Sequence, residues 1–119
     1  MLTYELKQNG CNVKVSAKVN GEIVGFGELS MVLDVADVID VEVDYAYRRR
    51  GIGREICNRL IAFAAENSVK ILTLEVRKSN QTAKALYEKL GFRTISERAK
   101  YYEDNEDAII MQLKLPEGA

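Results

Sequence analysis

The sequence has 119 residues, 47% hydrophobic and 29% charged, a length and balance typical of a single globular domain over residues 1–119. Seventeen basic residues against eighteen acidic ones give a net charge of −1, which excludes the broad positive field of a nucleic-acid-binding protein. The sequence has no histidine, the commonest general base and metal ligand, so we expect no metal site, and any proton transfer must use Glu, Asp, Lys, Tyr or Cys.

The amino terminus has no basic segment followed by an apolar one, so we expect no secretory signal and predict a cytoplasmic protein. No apolar run approaches the ~20 residues of a membrane-spanning helix, so no membrane association is expected. Cys11 and Cys57 are far apart and lack metal-type spacing, which predicts two reduced thiols.

The first half of the chain predicts strands. Leu2, Tyr4 and Leu6 alternate with polar residues before a turn at Asn9 and Gly10, the pattern of a short strand. Further alternation or extended character predicts strands at residues 13–19, 23–33 and 35–43, the first two joined by the hairpin pair Asn20-Gly21.

Helical spacing begins after Gly51. A first helix ends at Asn67 or Ser68, and a second is capped by Ser79 or Asn80 and ends at Gly91. Strands first, then strand–helix–strand units, predict an α/β (α+β) fold with a central sheet of mixed direction. The remaining predicted segments are strands at residues 69–76, 92–96 and 108–115 and a solvated acidic loop at 103–107.

The segment RRRGIGR at residues 48–54 lies between a predicted strand and a predicted helix. Glycines there let the backbone approach a ligand, and the helix start offers free N–H groups and about half a positive charge to a pyrophosphate. The arginines add charge-assisted hydrogen bonds to phosphate oxygens. A basic, solvated turn explains the same residues, so the segment alone leaves both interpretations open.

Four segments in order resemble the GNAT superfamily of N-acetyltransferases. VEVDYAYRRRGIGR at 41–54 is similar to its acetyl-CoA motif, and LEVRKSN at 74–80 and ALYEKLGF at 85–92 are similar to the second half of its site. Tyr101-Tyr102 and EDAIIM at 106–111 are most similar to the ribosomal-protein-alanine N-acetyltransferase (RimI) branch. The resemblance covers about residues 35–115 and implies the acyl-CoA N-acyltransferase fold, a mixed, mostly antiparallel central sheet with helices packed on it.

The resemblance also implies that acetyl-CoA is the cosubstrate, and it implies a role for individual residues of the site. Glu75 matches the general base and Tyr87 the general acid, with Tyr87 also beside the cofactor. Asn80 matches a position whose side chain contacts acetyl-CoA. The backbone of Val41, Glu42 and Val43 would pair with the pantetheine arm. Around the pyrophosphate the resemblance implies Arg49, Arg50, Gly51, Ile52, Gly53 and Arg54, with Arg48 beside them.

The reaction itself requires such groups. An amine must lose a proton before attacking a thioester, which a carboxylate can accept, and a phenol can protonate the departing thiolate. Other interpretations of the same residues stay open: Glu75 as a solvated sheet residue, Tyr87 as a core aromatic, and Asn80 as a helix cap only.

The sequence departs from the family in two places. Tyr45 stands where many relatives have proline, which changes loop rigidity but spares the backbone donors. Members usually have two helices between their first and second strands, forming one wall of the acceptor groove, whereas only residues 7–11 separate these strands here. We therefore expect a fold shortened at the N-terminus, with exposed apolar residues on the early strands that a sister subunit in a homodimer would cover.

The predicted function is acetyl transfer from acetyl-CoA to a primary amine, with a protein N-terminal α-amine, such as that of a ribosomal protein, as first choice. Deprotonating an α-amine of pKa near 8 at pH 7 costs on the order of 1 kcal/mol, against roughly 4–5 kcal/mol for lysine. The alternatives are a lysine or small-molecule amine as acceptor, or a non-catalytic module that only binds acetyl-CoA.

Overall fold

The computed structural model describes residues 1–116, which form one seven-stranded sheet with two α-helices. The sheet order is β1-β2-β3-β4-β5-β7-β6, and every neighbouring pair is antiparallel except β4–β5. The predicted mixed, mostly antiparallel sheet is thus confirmed. The elements are β1 Leu2–Asn9, β2 Asn12–Val19, β3 Glu22–Val32, β4 Val35–Val43, a 3₁₀ turn Tyr45–Tyr47, α1 Ile52–Glu66, β5 Ile71–Arg77, α2 Gln81–Lys89, β6 Arg93–Arg98 and β7 Ala108–Lys114.

Tight turns join the first four strands into an antiparallel meander. Asn20 and Gly21 both have positive φ (51° and 85°), the conformation that a two-residue type I′ hairpin requires. β1 and β2 are joined directly by residues 10–11, with Gly10 at φ 62°. A hairpin turn therefore replaces the helical pair that the family resemblance implies between these strands.

Both helices cover the same face of the sheet, here called the helix-bearing face. Its core includes Leu29, Ile56, Leu60 and Leu72, each at most 1% exposed, and burying such a side chain contributes roughly 1.5–3 kcal/mol. Gly27 on β3 lets α1 lie close, because a Cβ there would stand 2.6 Å from Cγ2 of Ile56. This contact fixes the height of α1 above the sheet.

The opposite face, here called the open face, carries charged side chains on β1 and β2. Glu5 binds Nζ of Lys18 at 2.9 Å and Nζ of Lys7 at 3.1 Å. The exposed apolar side chains expected on the early strands include Leu2 (42% exposed) and Leu6 (41%), but strand register puts them on the helix-bearing face. Exposed apolar side chains therefore lie on the early strands as expected, and the open face of β1 and β2 also presents ion pairs.

Neither helix in the described part of the chain has the length and apolarity of a membrane-crossing segment. Cys11 is exposed and Cys57 is buried, and neither forms a disulfide.

Candidate active site

A cleft opens where β4 and β5 separate. The two strands pair at only three positions, Val35–Ile71, Ala36–Leu72 and Asp37–Thr73, and then diverge. The register of β3 with β4 changes there, leaving Ile39 as an extra residue in a β-bulge. Beyond these pairs lies a cleft of about 270 Å³ in which the facing edges of β4 and β5 have no strand between them.

The β4 side of the cleft is lined by residues 38–41, which include Val41 from the predicted cofactor strand. Glu42 and Val43, also predicted, lie further along the same strand and outside the cleft lining. Because residues 38–43 pair on one side only, with β3, their other edge keeps main-chain groups available to an extended ligand.

The start of α1 follows the end of β4. Gly51 is the N-cap in the left-handed region (φ 79°), where a side chain is strained. The helix begins with the bond from Glu55 N to Gly51 O (3.0 Å), so the N–H groups of Ile52, Gly53 and Arg54 have no acceptor within the helix. A Cβ at Gly53 would meet its nearest protein atom at 3.6 Å, so packing alone does not demand glycine there.

The arginines before α1 are held by neighbouring groups. Nε of Arg48 donates to the Val43 carbonyl at 3.0 Å, and the Arg48 guanidinium lies 5.5 Å from the Tyr45 ring centre. Arg50 lies 5.1 Å from the ring centre of Tyr47. Arg48, Arg49, Arg50 and Arg54 are all exposed around the start of α1, a concentration of positive charge suited to phosphate.

The β5 side of the cleft carries the predicted catalytic pair. Glu75, Asn80 and Tyr87 all line it. Tyr87 is 9% exposed and packs edge-on against Phe92, with ring centres 5.8 Å apart. Burial, with smaller contributions from Cys57 and Asp40, raises the pKa of Tyr87 well above its ordinary value, so its phenol stays protonated. Oδ1 of Asn80 accepts from Ala83 N at 3.1 Å, confirming Asn80 as the cap of α2.

Two tyrosines from the segment between β6 and β7 lie beside Glu75, whose side chain is exposed on the open face. A hydrogen bond to the Glu75 carboxylate raises the pKa of Tyr101. Tyr102 lines the cleft and meets Tyr101 edge-on, with ring centres 5.1 Å apart. The sequence marked this tyrosine pair only through the family resemblance and did not indicate that it lies beside Glu75.

The family model for the acetyltransferase (GNAT) family matches residues 2–92 of this sequence. The chain belongs to the GNAT family. It is therefore an acetyl-CoA-dependent N-acetyltransferase, and the cleft between β4 and β5 is its candidate active site. Within residues 1–116, no group of three or more Cys, Asp or Glu side chains is arranged to hold a metal ion.

Individual relatives support the same assignment. The chain is 42% identical over 99 residues to the [ribosomal protein bS18]-alanine N-acetyltransferase of Escherichia coli K12, covering 81% of this chain and 67% of that protein. The crystal structure of the E. coli ribosomal-protein alanine N-acetyltransferase superposes with a TM-score of 0.85 at 38% identity, over 94% of this chain and 76% of that one. A GNAT acetyltransferase from Elizabethkingia anophelis with acetyl-CoA bound has the same fold (TM-score 0.85, 21% identity, 96% and 98% coverage).

The predicted acidic loop at 103–107 is confirmed as a loop, with residues 103–105 exposed. It is also tied to β5, because Nη1 of Arg77 binds Asp104 Oδ2 at 2.8 Å and Glu106 Oε1 at 3.1 Å. Oε2 of Glu106 also accepts from Ser79 N at 2.9 Å. These hydrogen bonds lower the pKa of Glu106, and those from Glu106 N and Arg77 lower that of Asp104.

Proposed function

We propose that this acetyltransferase acetylates the N-terminal α-amine of a ribosomal protein, with Glu75 as general base and Tyr87 as general acid. The observation that carries the proposal is that Glu75 and Tyr87, predicted from separate motifs, line one cleft on its β5 side. The 42% identity to an enzyme named [ribosomal protein bS18]-alanine N-acetyltransferase supports the acceptor class. A ribosomal acceptor would also make the cytoplasm the compartment of the reaction.

Acetyl-CoA supplies an activated acetyl thioester, and the β4 side of the cleft suits its long arm. We propose that the free edge formed by Val41, Glu42 and Val43 pairs with the amide groups of pantetheine. The N–H groups at the start of α1 and the exposed arginines before it would bind the pyrophosphate. Asn80, whose side chain caps α2, also lines the cleft, and we propose that it contacts acetyl-CoA there.

The proposed roles balance the protons of the reaction. As the amine nitrogen bonds to the acetyl carbon and the carbon–sulfur bond breaks, Glu75 takes the amine proton, directly or through water. Tyr87 gives its phenolic proton to the departing sulfur and regains one from solvent. Its raised pKa keeps the phenol protonated at neutral pH, so Tyr87 is available as a hydrogen-bond donor when negative charge develops on the sulfur.

The acceptor can be tested by mass spectrometry of products formed from acetyl-CoA and three amines. These are the N-terminal hexapeptide of bS18, the same peptide blocked at its N-terminus and extended by one lysine, and spermidine. We expect acetylation of the free N-terminal alanine only. Acetylation of lysine or spermidine instead would refute the α-amine assignment, and acetyl-CoA binding without any product would favour the non-catalytic module.

We also propose that the chain forms a homodimer through the edge of β1. Leu2 and Leu6 extend the apolar surface of the helix-bearing face on that outermost strand, and a second copy could cover them. Light scattering at micromolar concentration should give the dimer mass, and Leu6→Glu should give the monomer mass. A wild-type monomer with full transferase activity would contradict this proposal.

A further inference from the structure

Arg77 is the last residue of β5 and follows Glu75 on the same face of that strand. We propose that Arg77 is a positioning residue for the amine acceptor. Its side chain holds residues 99–107 against β5, so that Tyr101 and Tyr102 lie beside Glu75. The inference rests on the proposed function, because it takes the surroundings of Glu75 as the place where the acceptor amine arrives.

The contacts of Arg77 converge on this one segment. Its guanidinium carbon lies 4.1 Å from the ring centre of Tyr102, the distance of a cation–π contact. The same guanidinium binds the carboxylates of Asp104 and Glu106. The hydrogen bond to Glu106 raises the pKa of Arg77 most, and the one to Asp104 raises it further. One side chain thus joins an aromatic ring and two carboxylates of the segment to the strand that carries Glu75.

Residues 99–107 contain no helix or strand that would hold their shape. Their internal bonds are short-range, such as Asn105 N to Tyr102 O at 2.8 Å. Two residues that are not glycine, Lys100 and Asn105, have positive φ (52° and 66°), a conformation that the surrounding structure must maintain. Contacts to the rest of the molecule are therefore needed to fix the position of the two tyrosines.

Arginine suits this position better than lysine. A planar guanidinium can lie on an aromatic ring while its edge donates to carboxylates, whereas an ammonium is a compact point charge. The nearby Lys78 illustrates the difference, since its Nζ reaches Glu97 at 3.5 Å and Asp107 at 4.0 Å by ion pairing alone. Arg77→Lys should consequently restore only part of what Arg77→Gln loses.

The chain offers a matched control in Arg59. Its guanidinium also binds a carboxylate, Glu55 at 2.7 Å, and also lies over a tyrosine ring, Tyr4 at 4.5 Å, but on α1 and outside the cleft lining. Arg59→Gln therefore removes the same kinds of contact from a place where no acceptor is expected.

Steady-state kinetics with the bS18 hexapeptide separates a loss of acceptor positioning from a general loss of enzyme activity. In Arg77→Gln we expect the peptide KM to rise about tenfold or more, while kcat and the acetyl-CoA KM stay within about twofold. Arg77→Lys should fall between, and Arg59→Gln should match wild type. An unchanged peptide KM in Arg77→Gln, or an equal rise in both KM values, would overturn the inference.

Hydrogen exchange gives a second readout that does not depend on the acceptor. Amides of residues 99–107 should exchange faster in Arg77→Gln than in wild type or Arg59→Gln, and an unchanged rate would overturn the inference. If wild type acetylates the lysine peptide or spermidine but not the α-amine, the proposed function fails, and the KM comparison is made with the accepted amine. A wild type that acetylates none of the three would overturn both proposals.

Discussion

The two strands that border the cleft contribute to it in different ways. β4 presents main chain: an unpaired strand edge, followed by a glycine turn and the start of α1. β5 and the elements after it present side chains: Glu75, Asn80, Tyr87 and Tyr102. Apart from the arginines before α1, substitutions on the β4 side should matter where they change the backbone, whereas on the β5 side loss of one functional group should be enough. Tyr45 in place of the usual proline fits this rule, since β4 and α1 still form around it.

The largest expected effect is on the β5 side. Glu75→Gln keeps the shape but cannot accept a proton, so kcat near pH 7 should fall by ~10²–10⁴, with the deficit shrinking at alkaline pH as free amine accumulates. Glu22→Gln removes an exposed strand carboxylate outside the cleft lining and should stay within about twofold of wild type. pH–rate profiles of both variants with one verified acceptor decide the matter. A folded Glu75→Gln variant with wild-type kcat at neutral pH would move the base elsewhere.

On the β4 side the sharpest change is Gly51→Glu. It forces a side chain into the left-handed region and adds negative charge where pyrophosphate is expected, so the acetyl-CoA Kd should rise at least ~100-fold. Gly21→Glu is the matched control, because Gly21 also has positive φ (85°) and open space around it but lies in a distant hairpin. Calorimetry measures the acetyl-CoA Kd of the two variants, which have similar backbone strain at different places. Equal acetyl-CoA affinity in both would refute the pyrophosphate assignment.

Tyr87→Phe keeps the ring against Phe92 and removes only the hydroxyl. The loss of one hydrogen bond to a developing thiolate should lower kcat by roughly 10- to 100-fold, with acetyl-CoA affinity nearly unchanged. Tyr4→Phe removes a phenol outside the cleft lining and should leave kcat as it is. If Tyr87→Phe instead weakens folding and spares kcat, Tyr87 is a core residue only. Thermal unfolding of both variants makes that distinction.

The smallest expected effect concerns Cys57, which lies on α1 beside Tyr87, where the two sides of the cleft share their core. Burial raises the pKa of Cys57 to about 12. Since the unfolded thiol ionises near pH 8.5, its deprotonation favours unfolding progressively from there up to pH 12. Urea unfolding at pH 8 and pH 10.5 should therefore show a smaller loss of stability in Cys57→Ala than in wild type. Parallel curves would show that the thiol contributes nothing to this pH dependence.

Much of the fold could be predicted because the sequence signals for its turns and helix ends are local. The Asn20-Gly21 hairpin, the Asn80 cap and the Gly91 stop (φ 105°) each depend on a few neighbouring residues and are confirmed. Strand ends were predicted less accurately: β5 begins at Ile71 rather than at 69, and β6 runs to Arg98 rather than to 96. The end of a strand depends on its partner's backbone, which local alternation does not report.

The site was predicted less completely. Glu75 and Tyr87 were found through their motifs, and the structure brings them to one cleft. The bulge at Ile39 and the contacts of Arg77 with Asp104 and Glu106 were not foreseen. Register between strands decides the first, and 27 to 29 residues separate the partners in the second. No periodic or turn-forming sequence pattern predicts either feature.

The three-position pairing of β4 with β5 also bears on how the chain folds. β1–β4 are consecutive hairpins whose contacts are close in sequence, so they can form early at little cost in loop entropy. The parallel join, from Val35–Ile71 to Asp37–Thr73, must close a long loop that contains all of α1, and gains few ladder bonds in return. We expect this join to form after the folding transition state, with φ-values near zero at Ala36 and Leu72 and higher ones at Val15 and Leu29. The pairing of β4 with β5, which borders the candidate active-site cleft, would then be the last part of the sheet to form.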